Sequence, residues 1–435
     1  MIGRHLMPDS PPACKLQHRP PWWRSIGPAL ITACVVFGPG SLLISSNVGA
    51  KYGYELLWLL LLTGVLMGTY MTTAARIGVV GGATPCTLIA RRLGRPVAAI
   101  IGINLCLVCS AFQFSNNLAV AAAAGTLLPK GGIHLVLLGL NVFIIVFLFT
   151  ARQIYRLLER AMKVMVGVML LCFAINVIVA GPSLTGIIKG FIPTWPQGLS
   201  LSLPKKIDGG INDPMLLVAS LLGTTFSVAA AFYQGNLVRE KNWTIKEYNR
   251  GIGDSIAGVA LLTSISAIIL ITTATVIPGK PAEDIGILAQ SLRPLLGPVA
   301  GMFFCIGLLA VAMNPFVINA MIGGSILADG IGLSARLSDR WPRRFTVVVL
   351  LVGMVVAMLV LRTGQKPVSL IIFAQALTVL GNPLMAAAIL WLANQKDIMG
   401  SRRNSVVLNI LGGLGLLVVV LMAMRVLFLI ILRLI

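Results

Sequence analysis

Apolar positions along this chain come in membrane-length blocks, not in the short alternations of a soluble fold. Eleven runs of predominantly apolar residues fall at about 26–50, 54–78, 97–125, 133–151, 161–180, 213–236, 253–277, 297–324, 345–362, 367–393 and 404–432. Each is long enough, as a helix, to cross a hydrocarbon core about 30 Å thick. The pattern predicts an all-α integral membrane protein of eleven spans, with residues 26–435 forming one transmembrane domain behind a tail at 1–25. The connections are too short for a separate soluble domain. The first apolar run is a full span with no small-residue cleavage site after a short core, so it reads as a retained helix and not as a signal peptide.

The first block is interrupted at its centre. It reads SIGPALITACVVFGPGSLLISSNVGA, with Gly38-Pro39-Gly40-Ser41 in the middle. Proline removes a backbone donor and glycine tolerates angles that a helix does not use. In hydrocarbon the freed backbone groups have to be satisfied by protein, water or a bound solute. A break at this depth therefore points to a transport site made of half-helix ends, although a simple proline kink gives the same letters.

Composition agrees with the membrane reading. Hydrophobic residues make up 57% of the 435 and charged residues only 11%, against roughly 25% in a soluble domain. Mean hydropathy is +0.94. The net charge of +21 raises the question of nucleic acid, and the location of the charge answers it. With the N-terminus inside and loops alternating, 23 of the 34 basic residues fall on the inner side, including Arg4, Arg24, Arg91, Arg92, Arg152, Arg156, Arg343 and Arg402. That is the positive-inside bias, with the C-terminus external, and it also suits anionic lipid headgroups. The partners expected are thus the bilayer and a small transported solute, not nucleic acid.

Chemical motifs are absent. The seven cysteines are scattered and mostly within spans, where they read as small packing residues. No HExxH, Walker loop or GxSxG elbow occurs, so no enzyme activity and no cofactor are expected.

Several stretches together resemble the NRAMP family of divalent-metal transporters over nearly the whole chain. GPALITACVVFGPGSLLISSNVGAKYGYELLW is similar to that family's first helix, whose break reads Asp-Pro-Gly-Asn. TAARIGVVGGATPCTLIARRLG (73–94), LLERAMKVMVGVMLLCFAINV (157–177) and IIFAQALTVLGNPLMAAAILWLANQKDIMG (371–400) resemble the segment after the second helix, the fifth helix and the tenth. The resemblance implies a leucine-transporter-like fold: two inverted five-helix repeats, about 26–180 and 213–393, plus an eleventh helix at about 404–432. Spans 1 and 6 would be unwound and would enclose the substrate.

The departures bear on chemistry. Gly38 and Ser41 stand where the family has its metal-binding Asp and Asn. In span 6, Gly223-Thr224-Thr225-Phe226-Ser227-Val228-Ala229-Ala230 matches a family stretch reading roughly Ala-x-x-Met-Pro-His, so Thr224 replaces the alanine that offers its carbonyl and Ser227 the methionine. FQFSNNLA (112–119) aligns Gln113 and Asn116 with two proton-relaying acids, and Gln375 matches a glutamine that approaches the ion. The implied substrate site is Gly38, Pro39, Gly40, Ser41, Thr224, Ser227 and Gln375, with Ser41, Thr224 and Ser227 as candidate metal ligands. Losing the thioether removes the preference for soft ions, and losing the carboxylate removes the counter-charge. A neutral oxygen set suits a hard cation that keeps part of its water, of magnesium character. It suits a small zwitterion or acid equally well. Gln113 and Asn116 cannot titrate, so proton coupling by the family's route is not expected.

Other polar residues keep two readings. Ser45, Ser46 and Asn47, and the amide cluster Gln113, Asn116 and Asn117, line a path or tie helices together. Asn236, near a helix end, reads as structural. Asp254 reads as the most membrane-proximal acid, and Asn314-Pro315 and Asn382-Pro383 as kinks. The functional expectation is a secondary transporter or facilitator of the cell inner membrane working by alternating access. Its alternatives are a carrier of a non-metal organic solute and a non-transporting sensor or scaffold.

Overall fold

A computed structural model describes residues 37–127, 132–150, 164, 167–168, 170–207, 210–280 and 285–434. The tail at 1–25, the first half of span 1 and the basic 151–163 connection lie outside the described residues. In chain order the helices are α1 (Pro39–Tyr52), α2 (Leu57–Val80), α3 (Pro85–Leu93), α4 (Arg95–Leu127) and α5 (Ile133–Thr150). Next come α6 (Leu170–Ala180), α7 (Leu184–Gly190), α8 (Leu216–Thr225), α9 (Val228–Glu240) and α10 (Ile245–Val276). The last group is α11 (Ala300–Gly330), α12 (Arg340–Leu361), α13 (Pro367–Leu377), α14 (Asn382–Asn394) and α15 (Val406–Leu434).

Local chemistry sets several of these boundaries. Thr84 caps α3 by accepting from Thr87 N, with Pro85 in the first turn, where a missing N–H costs nothing. Thr244 and Glu247 form a reciprocal capping box at the start of α10. Pro367 opens α13.

Among the described residues, eight helices are long and apolar enough to cross a membrane, or nine if α6 and α7, bent by 120° at residues 181–183, count as one span. The eleven predicted spans need three corrections. Span 5 turns sharply at its end into α7. Span 8 does not stop at 324 but continues to Gly330, carrying Asp329 into the helix. The connection before α8 also holds a short antiparallel hairpin, β1 (Lys205–Ile207) with β2 (Gly210–Asn212), that the helical pattern did not announce.

The charged groups buried in the bundle sit toward its ends. At one end Arg425 of α15 donates from Nε to Asp213 Oδ1 at 2.8 Å and from Nη2 to the same oxygen. It also donates to the Leu201 and Ser202 carbonyls at 3.2 and 2.6 Å. Asp213 in turn accepts from Met215 N at 2.9 Å, so one carboxylate fixes the start of α8 and ties the last helix and the hairpin connection to it. At the other end Asp329 Oδ1 accepts from Thr84 and Thr87, Oδ2 accepts from Asn236 of α9, and Arg95 donates to the Asp329 carbonyl. Among the described residues the buried carboxylates are these two acids; the side chain of Asp254 lies outside what is described.

Because both Asp213 and Arg425 are buried, removing one partner strands the other charge. Asp213→Ala is expected to cost about 3–5 kcal/mol. Thermal unfolding of the detergent-solubilised protein checks this, and Asp213→Leu/Arg425→Met should recover most of the loss.

Candidate functional site

The first break is built by Gly38 and Pro39. Gly38 is extended (φ −111°, ψ 171°) and caps α1 without any side-chain bond, while its carbonyl accepts from Leu42 N at 3.2 Å. Pro39 fills the first helical position, and the N–H groups of Gly40 and Ser41 have no acceptor within the helix. A helix N-terminus therefore opens halfway through the bundle.

The second break forms without a proline. The helix that began at Leu216 ends at Thr225, and Phe226 and Ser227 leave the helical region before α9 starts at Val228. Ser227 (φ −76°, ψ 86°) sits at the centre of an inverse γ-turn in which Val228 N donates to Phe226 O at 3.0 Å. Asn382 of α14 donates to the same carbonyl at 3.4 Å, and the Ser227 hydroxyl accepts from Ala230 N at 3.5 Å to cap α9. The family resemblance implied an unwound span 6, but no proline here forces the break, and one of its three bonds comes from a distant helix.

The tenth predicted span supplies the third element. It tightens to a 3-10 turn at Thr378–Gly381 between α13 and α14. Asn104 of α4 donates to the Gly381 carbonyl at 2.9 Å. Gln375 lies just before this turn and reaches both breaks. A Cβ on Gly40 would overlap the Gln375 amide, and one on Gly223 would overlap the Gln375 backbone carbonyl, so both glycines are what lets the three helices approach. Gln375 Nε2 donates to Ser115 Oγ of α4 at 2.7 Å, whereas its Oε1 is buried with no protein donor.

A cavity of about 40 Å³ opens between these parts, room for roughly three waters. Gly38, Gly40 and Ser41 line it from α1, Thr224 and Ser227 from the second break, and Gln375 from α13. Asn116 of α4 lines it as well. The N-terminal end of α1 and the C-terminal end of α8 meet there, so the wall carries opposite dipole ends, with the negative one at Thr224 and Thr225. Among the described residues, no carboxylate, imidazole or sulfur lines it.

A sequence model described as natural resistance-associated macrophage protein-like matches residues 29–429. The chain belongs to the NRAMP family. The divalent metal cation transporter MntH of Deinococcus radiodurans is 28% identical, over 86% of this chain and 83% of that one. The MntH of Bacillus subtilis is 24% identical, over 87% and 86%. In three dimensions the chain is similar to the Eremococcus coleocola manganese transporter, with a TM-score of 0.72 at 21% identity over 95% of this chain and 88% of that one. Mhp1 in its inward-facing conformation gives 0.53 at 15% identity, covering 92% and 90%. The fold is the all-α, leucine-transporter-like one of inverted helical repeats. The chain is a membrane transporter by family, not an enzyme.

Four of the sequence-selected residues do not line the cavity. Pro39 shapes the break without facing the space. Gln113 donates to the Phe316 carbonyl, and Asn117 accepts from Asn141 of α5 at 2.7 Å while donating to Gln113 O at 2.8 Å, so both tie helices together. Ser45 lies one turn beyond Ser41, fully buried and with no protein partner. The Thr224 hydroxyl is turned back onto Leu221 O at 3.1 Å, which leaves the main-chain carbonyl as that residue's contribution.

The contribution of α11 was not foreseen from the sequence. Pro315, Ile318, Asn319 and Ile322 line the cavity at i, i+3, i+4 and i+7, one face of a helix. The i, i+4 spacing also relates Phe112 and Asn116 on α4. The signal was present as Pro315 and Asn319 four residues apart, but in a helix apolar on every side no face stands out.

Gly223→Ala presses against backbone, and it is expected to lower stability by about 1–3 kcal/mol through overpacking, read from thermal unfolding. Gly40→Ala meets only the movable end of Gln375. It should therefore reduce solute uptake to the level of Gln375→Ala, with less loss of stability than Gly223→Ala.

Proposed function

We propose that this chain moves a divalent cation of hard, partly hydrated character through the central cavity by alternating access, without coupling to protons. The observation that carries the reading is the cavity wall, whose described polar side chains are all uncharged: Ser41, Asn116, Thr224, Ser227, Asn319 and Gln375, the last with a buried Oε1 that has no protein donor. Relatives named as divalent metal cation transporters align over more than four-fifths of this chain, which supports a divalent substrate class.

Magnitudes decide which cation. At an effective dielectric of about 20, one unit charge 4 Å away is worth about 4 kcal/mol, so a divalent ion without a carboxylate forgoes roughly 8 kcal/mol of gross attraction. Amide and hydroxyl oxygens do not replace that, and the substrate has to keep part of its water shell. Magnesium is bound in this manner, and without a thioether the wall has no soft donor to set a softer ion above it. Space for roughly three water-sized bodies fits an ion with a few waters. A drug-sized organic solute needs a pocket of about 300–1,000 Å³ and does not fit a space of about 40 Å³. A scaffold or sensor would gain nothing from two unwound helices around a polar space.

The distribution of basic residues supports insertion in the cytoplasmic membrane with the N-terminus inside and the C-terminus outside. Gln113 and Asn116 are neutral at every pH, and the buried Asp329 lies ten residues beyond Asn319, about 15 Å along α11. Among the described residues, no titratable group lines the cavity to relay a proton.

Uptake into proteoliposomes tests this. Mg²⁺ should enter without acidification of the lumen, and Mn²⁺ should be no better a substrate. Substrate-dependent acidification, or strong preference for Mn²⁺, would sink the proposal.

A further inference from the structure

Pro315 crowds the place that a Cβ at position 38 would take. A Cβ built on Gly38 lies 3.3 Å from Pro315 Cγ and 3.7 Å from Pro315 Cβ. The first separation is tighter than ordinary side-chain contacts and the second is normal, so the crowding comes from one ring carbon. Whether a larger residue fits at 38 depends on whether α11 can give way.

α11 is held from behind. The Phe316 carbonyl, one residue past Pro315, accepts the Gln113 amide, and a Cβ on Gly353 of α12 would overlap Gln113, so Gln113 is itself clamped. Further along, Gly330 is in backbone contact with α4: a Cβ there would meet Ala98 O at 2.7 Å and Gly102 Cα at 2.9 Å. Close backbone packing of this kind leaves no slack for a sideways shift.

We propose that Pro315 is a specificity-determining residue that keeps the first break free of side chains, so that helix α1 presents only its main chain and Ser41 to the substrate. The neutral site is then a filled shape and not just a site lacking an acid. Restoring an aspartate at position 38 alone does not restore a ligand, because the carboxylate is forced out of line by the proline ring. Within the membrane a misplaced carboxylate also forfeits the geometry that a dehydrated metal demands. This inference rests on reading the cavity as the substrate site.

Two cycles separate the inference from that reading. In the first, thermal unfolding is measured for the native protein, Gly38→Ala, Pro315→Ala and the double variant. Pro315→Ala removes Cγ, keeps Cβ and returns a backbone donor to the helix, so it is compatible with folding. Gly38→Ala should lower the unfolding midpoint in the native background and lower it less beside Pro315→Ala. Equal losses in both backgrounds would show that the ring does not crowd position 38, and the proposal would fall.

In the second cycle, Mn²⁺ is titrated calorimetrically into the full chain carrying Gly38→Asp, Pro315→Ala or both. Gly38→Asp alone should stay within about threefold of native affinity, while the pair should exceed the product of the single effects by about tenfold or more. A full gain from Gly38→Asp alone overturns the role of Pro315 and leaves the site assignment standing. Relief of crowding in the first cycle, with no Mn²⁺ gain from the pair, overturns the site assignment instead, and the assignment to substrate selection goes with it.

Discussion

The structure depends on one constraint: backbone freed at two helix breaks inside an apolar bundle has to find partners there. At the second break Phe226 O is met by Val228 N and by Asn382 of a distant helix, and the Ser227 hydroxyl caps α9. At the first break Pro39 avoids an unpaired donor, and two N–H groups face the space between the helices. Gln375 can reach both breaks only because Gly40 and Gly223 have no side chains. The cavity is the volume left by satisfying these demands, and its polarity is that of the groups that satisfy them.

Legibility from the sequence followed the physical source of each feature. The first break was visible because Gly38-Pro39-Gly40 acts through its own backbone. The second was expected only from the family resemblance, because nothing in Thr225-Phe226-Ser227-Val228 itself forbids a helix and one of its partners is an amide more than 150 residues away. The bundle was legible as apolar blocks, but block ends were not: Asp329 reads as loop by composition and is helix by its four partners, Thr84, Thr87, Asn236 and Arg95. The amides on α4 show the same limit. Asn116 reaches the cavity, while Gln113 and Asn117 on the same helix serve neighbouring helices, and only packing tells them apart.

Charge is spent at the ends of this bundle. Asp213 with Arg425, and Asp329 with its hydroxyl and amide donors, join segments distant in sequence where water is near. Asp213 Oδ1 accepts from both Arg425 and Met215, while its Oδ2 is buried with no donor, and both Asp329 oxygens are occupied. Neither lines the cavity. The long-range holding of helices is thereby separated from the chemistry of the cavity, and the centre can stay neutral without loss of stability.

A neutral centre also changes how selection works. A carboxylate-and-thioether site selects by attraction. A site of amide and hydroxyl oxygens attracts every hard cation weakly, so discrimination has to come from shape and from how much water an ion is willing to lose. Magnesium holds its shell strongly and calcium tolerates many geometries, so on the proposed reading a space for about three water-sized bodies would separate them by the fit of the residual shell. The ring of Pro315 and the side chains of Ile318 and Ile322 set that space on one side, and Gln375 sets it on the other. In such a site an apolar residue that touches no ligand atom governs specificity as firmly as a ligand does, since it decides which hydration shell can be kept.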